Sequence, residues 1–248
     1  MFVFVQQTIA YFAQCSPERG IKLYLEAALT ADKLGASNDL ADERETYGSI
    51  ANELFSLSFN LYEERVMKDP RIQRSCLTSM IGTLLASRSL AKEDYEGLIM
   101  KTTKYGAKMV KQSEQCEMVT MCSHLFYVID NDGTTLVYAN PQRCLECLRR
   151  SVKLADACTS ADPSNLKLFV ELLDVYLYFF KKNNPSITGN FITGLVALIK
   201  EHAQQYNTVA VAEARNHFLQ IVRHIKAMKA KPESSENFLS IDVSAVET

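Results

Sequence analysis

Apolar residues recur every three to four positions along one stretch of the chain after another, and short polar links separate the stretches. That period belongs to amphipathic helices. It predicts ten of them, over residues 1–14, 17–34, 40–66, 70–88, 92–112, 115–129, 141–159, 163–182, 185–204 and 207–229. Proline marks several of the starts independently. Five of the six prolines follow Ser, Asp or Asn: Ser16-Pro17, Asp69-Pro70, Asn140-Pro141, Asp162-Pro163 and Asn184-Pro185. The short polar side chain can accept a bond from a free amide of the first turn, and proline fits the first helical position, where no donor is needed. The last three pairs stand 22 residues apart, which is one helix plus a turn.

Short links such as residues 35–39 favour antiparallel neighbours. Two consecutive helices take roughly 40 to 45 residues, the repeat length of armadillo and HEAT arrays. The expected fold is all-α, a HEAT-like α-solenoid of about ten antiparallel stacked helices filling residues 1–229. The repetition is structural, because no residue signature returns at a fixed position. Residues 130–139, Asp-Asn-Asp-Gly-Thr-Thr-Leu-Val-Tyr-Ala, are expected to form an exposed loop. Residues 230–248 are weakly patterned and acidic, and are expected to be a disordered tail outside the folded body.

Composition agrees with a helical body and narrows its partners. Of 248 residues, 47% are apolar, and nine glycines with six prolines leave little material for a turn-rich β fold. With 27 basic and 29 acidic residues the net charge is -2, so no global field holds a phosphate backbone and nucleic acid is not an expected partner. The apolar start Met1-Phe2-Val3-Phe4-Val5 lacks a preceding basic segment, unlike a secretory signal, and no apolar run reaches the ~20 residues that span a bilayer. A cytoplasmic protein without membrane insertion is expected. Seven scattered cysteines read as reduced, small hydrophobic residues.

The common catalytic signatures are missing: no Gly-x-Gly-x-x-Gly, phosphate loop, Gly-x-Ser-x-Gly or His-Glu-x-x-His occurs. Cys144-Leu145-Glu146-Cys147 has the spacing of a zinc or redox half-site, but no second pair follows, and two buried helix cysteines are the expected reading. Asp130-Asn131-Asp132-Gly133 opens like a calcium loop. Counting on from Asp130, the obligatory glycine falls on Thr135 and the bidentate glutamate on Pro141, so a surface turn is expected. His217 and His224 share a helix seven residues apart without an evident third ligand, which suits an ordinary helix surface. Lys101, Lys104, Lys108 and Lys111 project as a basic stripe, either a solvated face or a contact for an acidic partner or anionic lipid. No catalytic residue, metal ligand or cofactor is assigned.

Two helices carry unusual polar arcs. Projected at ~100° per residue, 115–129 places Met118, Met121, Cys122, Leu125, Phe126 and Ile129 on a core side, with Glu117, Thr120, His124 and Tyr127 opposite. Residues 166–182 show two apolar stripes and a third arc of Lys167, Glu171, Asp174, Lys181 and Lys182, centred on Tyr178. Tyr178 is either an exposed tyrosine without a role or an anchor with large contact area and a hydrogen-bonding tip. Alternate helices of a stacked array lie in one layer, so both arcs are expected to form one continuous surface.

Several separated segments occur in a familiar order: Phe59-Asn60-Leu61-Tyr62-Glu63, Ile81-Gly82-Thr83, Met121-Cys122-Ser123-His124-Leu125-Phe126, Cys144-Leu145-Glu146-Cys147-Leu148-Arg149-Arg150, Leu168-Phe169-Val170-Glu171-Leu172-Leu173, Tyr176-Leu177-Tyr178-Phe179 and Asn216-His217-Phe218. The chain resembles the C-terminal half of the large α-solenoid subunit of retromer, the vacuolar protein sorting-associated protein thirty-five family, over roughly residues 1–228. The resemblance implies a non-enzymatic scaffold, recruited peripherally to endosome membranes for cargo recycling and retrograde transport. Its implied partner is the small retromer subunit, which has a metallophosphoesterase fold. The actin-regulatory WASH complex and self-association at the solenoid end are further implied contacts.

The partner-gripping role of the His-Leu-Phe segment transfers to His124, and with it to Thr120 and Tyr127; Glu171, Asp174 and Tyr178 come from the projection alone. Nothing matches the family's N-terminal half with its Pro-Arg-Leu-Tyr-Leu motif, so the arrestin-like subunit is not expected to bind. The first helix is expected to expose an apolar face, as in a piece of a longer array. The competing classes are a metal-dependent enzyme using His124 or Cys144 and Cys147, and a membrane-surface module using the lysine stripe.

Overall fold

Four of the five proline pairs start helical turns in the computed structural model, which describes residues 1–130, 132–205, 208–231, 235–244 and 246. Asp69 Oδ1 accepts the Arg71 amide at 3.1 Å, Asn140 Oδ1 the Arg143 amide at 3.2 Å, and Asp162 Oδ1 the Ser164 amide at 2.9 Å. Ser16 flanks Pro17 without a side-chain bond. Asn184-Pro185 departs from the expectation. Asn184 Oδ1 takes the Ser186 amide at 3.0 Å, closing a turn, and the next helix begins only at Gly189.

The chain divides into two compact units, residues 1–110 with 124–128 and residues 111–123 with 129–248. The first unit contains α1 (Phe2–Cys15), α2 (Pro17–Ala36), α3 (Ala41–Leu61), α4 (Pro70–Ala86) and α5 (Lys92–Gly106). Helices α1, α2 and α3 pack in sequence, and α2 also meets α4. Asp32 of α2 is buried, and its carboxylate accepts the amides of Arg88 and Ser89 at 2.8 Å and the Ser89 hydroxyl at 2.9 Å. Gly48 lets α3 approach the same link, since a Cβ there would lie 2.5 Å from the Ser89 carbonyl oxygen. The predicted helix 40–66 widens into a π turn over Tyr62–Val66, from which Glu63 meets the Tyr105 hydroxyl and Lys101 Nζ at 3.0 Å. On α1, Val3, Phe4 and Tyr11 are exposed, as expected for its apolar face.

The second unit contains α6 (Gln112–Ser123), α7 (Pro141–Ala161), α8 (Leu166–Lys181), α9 (Gly189–Gln205), α10 (Val209–Lys229) and the short α11 (Ser235–Leu239). Here α6 packs on α7, α7 on α8, and α8 on both α9 and α10. Cys116 Sγ donates to the Ser151 carbonyl and Ser151 Oγ to the Cys116 carbonyl, both at 3.4 Å, fastening α6 to α7. Helix α8 ends where Asn183 takes φ 55°, a left-handed conformation that Asn tolerates.

Three segments differ from their predicted form. The helix expected over 115–129 stops at Ser123, continues as a 3-10 turn at His124–Phe126, and becomes strand β1 (Tyr127–Ile129). Strand β2 (Leu136–Ala139) pairs with it in a two-stranded sheet, so the expected loop is partly a hairpin, although its outer residues are exposed. The third difference is the expected tail. Phe238, Ile241, Val243 and Val246 are buried, so that segment belongs to the second unit; residues 232–234, 245, 247 and 248 lie outside the described residues. A few apolar side chains at irregular spacing suffice for docking, because their positions need only match the surface beneath.

Candidate protein-binding surface

Helix α8 buries ten of its sixteen residues: Leu166, Leu168, Phe169, Val170, Leu172, Leu173, Tyr176, Leu177, Phe179 and Phe180. Of the other six, Val175 is half-buried, and the five exposed residues, Lys167, Glu171, Asp174, Tyr178 and Lys181, fall at intervals of four, three, four and three residues and form one straight stripe. Glu171, Asp174 and Tyr178 therefore come together as projected. Lys182 leaves the stripe, because its ammonium donates to the Gly133 carbonyl at 2.7 Å.

Helix α10 flanks the stripe and supplies two histidines. His217 Nε2 lies 3.0 Å from Asp174 Oδ2, and Lys181 Nζ lies 2.6 Å from His224 Nε2. Both pairs step by seven residues on their own helices, so they form two parallel rungs about 10.5 Å apart. Tyr178 and Gln220 complete a shallow groove of about 350 Å³.

The rungs differ electrostatically. Burial raises the Asp174 carboxyl pKa above the ordinary aspartate value, and the His217 contact opposes that shift. Burial lowers the His224 imidazole pKa, and the Lys181 cation lowers it further. An ammonium can only donate, so His224 Nε2 must be the unprotonated acceptor. The groove thus offers an acceptor carboxylate, a cation, a phenol and imidazole donors. That array can bind polar and aromatic protein side chains, but it has no nucleophile paired with a base.

The remaining predicted residues are less exposed than projected. Thr120 is only 9% exposed and Tyr127 6%, while His124 is half-buried. The expected polar arc fails for two reasons. Tyr127 stands on a strand, where helical projection does not apply. Thr120 satisfies its hydroxyl internally by donating to the Cys116 carbonyl at 2.7 Å, as Ser123 does to the Thr120 carbonyl at 2.6 Å, which lets small polar residues sit in a core. His124 opens the 3-10 turn, whose Leu125 carbonyl accepts the Tyr95 hydroxyl at 3.1 Å. Burial depresses the His124 pKa to about 4, so the ring is neutral at pH 7. The expected polar arc of Thr120 and Tyr127 is corrected to buried positions, while the arc on α8 is exposed.

Other sequence features resolve similarly. Cys144 and Cys147 are buried in α7, and burial pushes the Cys147 thiol up to about 12 and the Cys144 thiol higher, against the thiolate that redox or zinc chemistry uses. Asp132 spends its carboxylate inside its own turn, accepting the Thr134 and Thr135 amides at 2.8 Å. The lysine stripe is interrupted, since α5 ends at Gly106 and Lys101 pairs with Glu63. Among the described residues, no helix is long and apolar enough to cross a membrane. His217 and His224 are the site residues that sequence reading passed over. Their spacing, equal to that of Asp174 and Lys181, was the available signal.

Two units built from helices that pack on their neighbours in sequence define an all-α protein of the stacked-helix class. Residues 1–202 match the family model described as Vacuolar protein sorting-associated protein 35, and the chain belongs to that family, whose α-solenoid fold class it shares. It is 34% identical over 238 residues to Vacuolar protein sorting-associated protein 35B of Arabidopsis thaliana, covering 93% of this chain and 28% of that relative. It is 35% identical over 187 residues to Vacuolar protein sorting-associated protein 35 of Schizosaccharomyces pombe, covering 75% and 21%. The protein of the same name from Dictyostelium discoideum is 25% identical over 227 residues, covering 88% and 27%. The chain spans about a quarter of the length of these relatives.

Proposed function

We propose that this chain is a non-enzymatic scaffold segment of retromer that holds the small metallophosphoesterase-fold subunit during endosomal protein sorting. Family membership supports the sorting process and the assembly in this reading. The observation that carries the docking site is the α8 stripe, where Tyr178 remains 37% exposed on a helix otherwise buried along its apolar sides. Aromatic side chains with a polar tip make effective anchors, and a charged rim sets orientation more than affinity. Tyr178 is the anchor in this reading, while Glu171, Asp174, Lys181, His217 and His224 form the rim. His124 acts indirectly, by holding the shape of the turn that it opens. Peripheral recruitment to endosomes follows from the assembly.

The test is reconstitution with the purified small subunit, followed by hydrogen exchange. The expected result is a stable complex in which the α8 and α10 amides flanking the groove gain protection. Failure to form a complex would remove the assignment of the partner. Formation without protection at α8 would move the interface elsewhere on the chain.

A further inference from the structure

The segment after α10 returns across the second unit and touches three of its helices. Phe238 meets Phe180 of α8 edge-to-face, with ring centroids 5.4 Å apart. Asn237 Nδ2 donates to Asn183 Oδ1 at 3.3 Å, just beyond the end of α8. The Asp242 amide donates to Thr193 Oγ1 of α9 at 2.8 Å, and Lys226 Nζ of α10 donates to the Val246 carbonyl at 3.0 Å. Gly189, where α9 begins, is fitted to the segment, since a Cβ there would come within 2.8 Å of the Ser240 carbonyl carbon. Val246 closes one side of a cavity of about 570 Å³ with Lys200, Arg215 and Phe218.

These contacts describe a receptor and a ligand within one chain. The ligand has an aromatic residue followed by branched apolar residues at the third, fifth and eighth positions, Phe238, Ile241, Val243 and Val246, all buried. Its helix, α11, has five residues, too few to persist without docking, and residues 241–243 have no regular secondary structure. Order in the segment therefore depends on the surface beneath. That surface does not depend on the segment for its own backbone bonds, because α8, α9 and α10 are continuous helices. The segment also lies beyond residues 1–202, the part matched by the family model.

We propose that α8, α9 and α10 form a docking groove for an extended apolar peptide, held in this chain by its own residues 237–244 and 246 and open by exchange to a partner segment with the same spacing. The Thr193 hydroxyl, which accepts the Asp242 amide, and the Lys226 ammonium, which donates to the Val246 carbonyl, hold main-chain groups of an extended segment, and the apolar spacing selects the sequence. Joined through the chain, the resident segment competes at an effective concentration on the order of mM, so an outside peptide meets a guarded site. The inference does not depend on the partner assigned to the α8 stripe.

A fluorescein-labelled synthetic peptide of residues 235–246 tests the exchange, titrated into the intact chain and into the full chain carrying Phe238→Ala and Ile241→Asp. The expected result is saturable binding to the variant, at least about tenfold weaker binding to the intact chain, and no binding of a scrambled peptide to either. No binding to the variant, equal affinity for both proteins, or equal binding of the scrambled peptide would overturn the proposal. Hydrogen exchange on the intact chain gives a second reading that does not depend on the variant's folding. The Asp242 amide is expected to exchange at least about 100-fold faster than the Leu172 amide within α8, through local release. Exchange of both at one rate would mean that the segment opens only with global unfolding, and would overturn the proposal.

Discussion

Lowering the pH from 7 to 5 is expected to destabilise the first unit by about 2 kcal/mol through His124 alone. An unfolded imidazole takes up its proton near the model value of 6.5, whereas burial delays uptake in the folded chain until about 4. Between those values the unfolded chain binds more protons than the folded one, so stability rises with pH and is lost as pH falls through the window. The full window corresponds to about 3 to 4 kcal/mol, of which the step from pH 7 to pH 5 covers a little over half. Urea unfolding at both pH values measures the loss, and His124→Gln removes the titrating group without adding charge. Taking the difference between the two proteins cancels the carboxylates that they share. The intact chain is expected to lose about 2 kcal/mol more than the variant. Equal losses would refute the burial of a neutral imidazole at the 3-10 turn.

Asp32→Ala leaves two backbone amides and a hydroxyl without their acceptor and is expected to cost about 3 to 5 kcal/mol, read as a fall in the melting temperature of the first unit. Gly48→Ala is expected to destabilise by about 1 to 3 kcal/mol, because its new methyl meets a backbone oxygen; Gly82→Ala on α4, with nothing within 4 Å, is expected to stabilise by about 1 kcal/mol. A reversal of that order in chemical denaturation would contradict the packing described at the Ser89 link. Disulfide-exchange labelling at pH 8 is expected to modify exposed Cys15 first and to reach Cys144 and Cys147 only on unfolding, and rapid labelling of either buried thiol would contradict their placement.

Helix starts were legible because capping is local: Asp69 and Asn140 need only the amides two or three residues ahead. Asn184 carried the same signal and made a turn instead, since its oxygen has equal access to the Ser186 amide. The α8 stripe was legible because apolar neighbours bury the rest of that helix, leaving a sharp helical period. Helix α6 gave no such guide. Its Thr120 and Ser123 bond back to their own helix and become buriable, and projection cannot register that. His217 and His224 acquire meaning only beside Asp174 and Lys181, residues 43 positions away in each case, and the same dependence on tertiary contact hid the docking of Phe238 and Ile241.

Calorimetric titration of the small metallophosphoesterase-fold subunit into the intact chain and into Tyr178→Ala tests the docking surface most directly. Tyr178 is partly exposed at the centre of the stripe, so the variant is expected to keep its helical circular dichroism. As an anchor worth about 2 kcal/mol or more, the tyrosine is expected to account for at least a ~30-fold loss of affinity. Equal affinity of the folded variant and the intact chain would contradict the assignment of the α8 stripe as the partner-binding face.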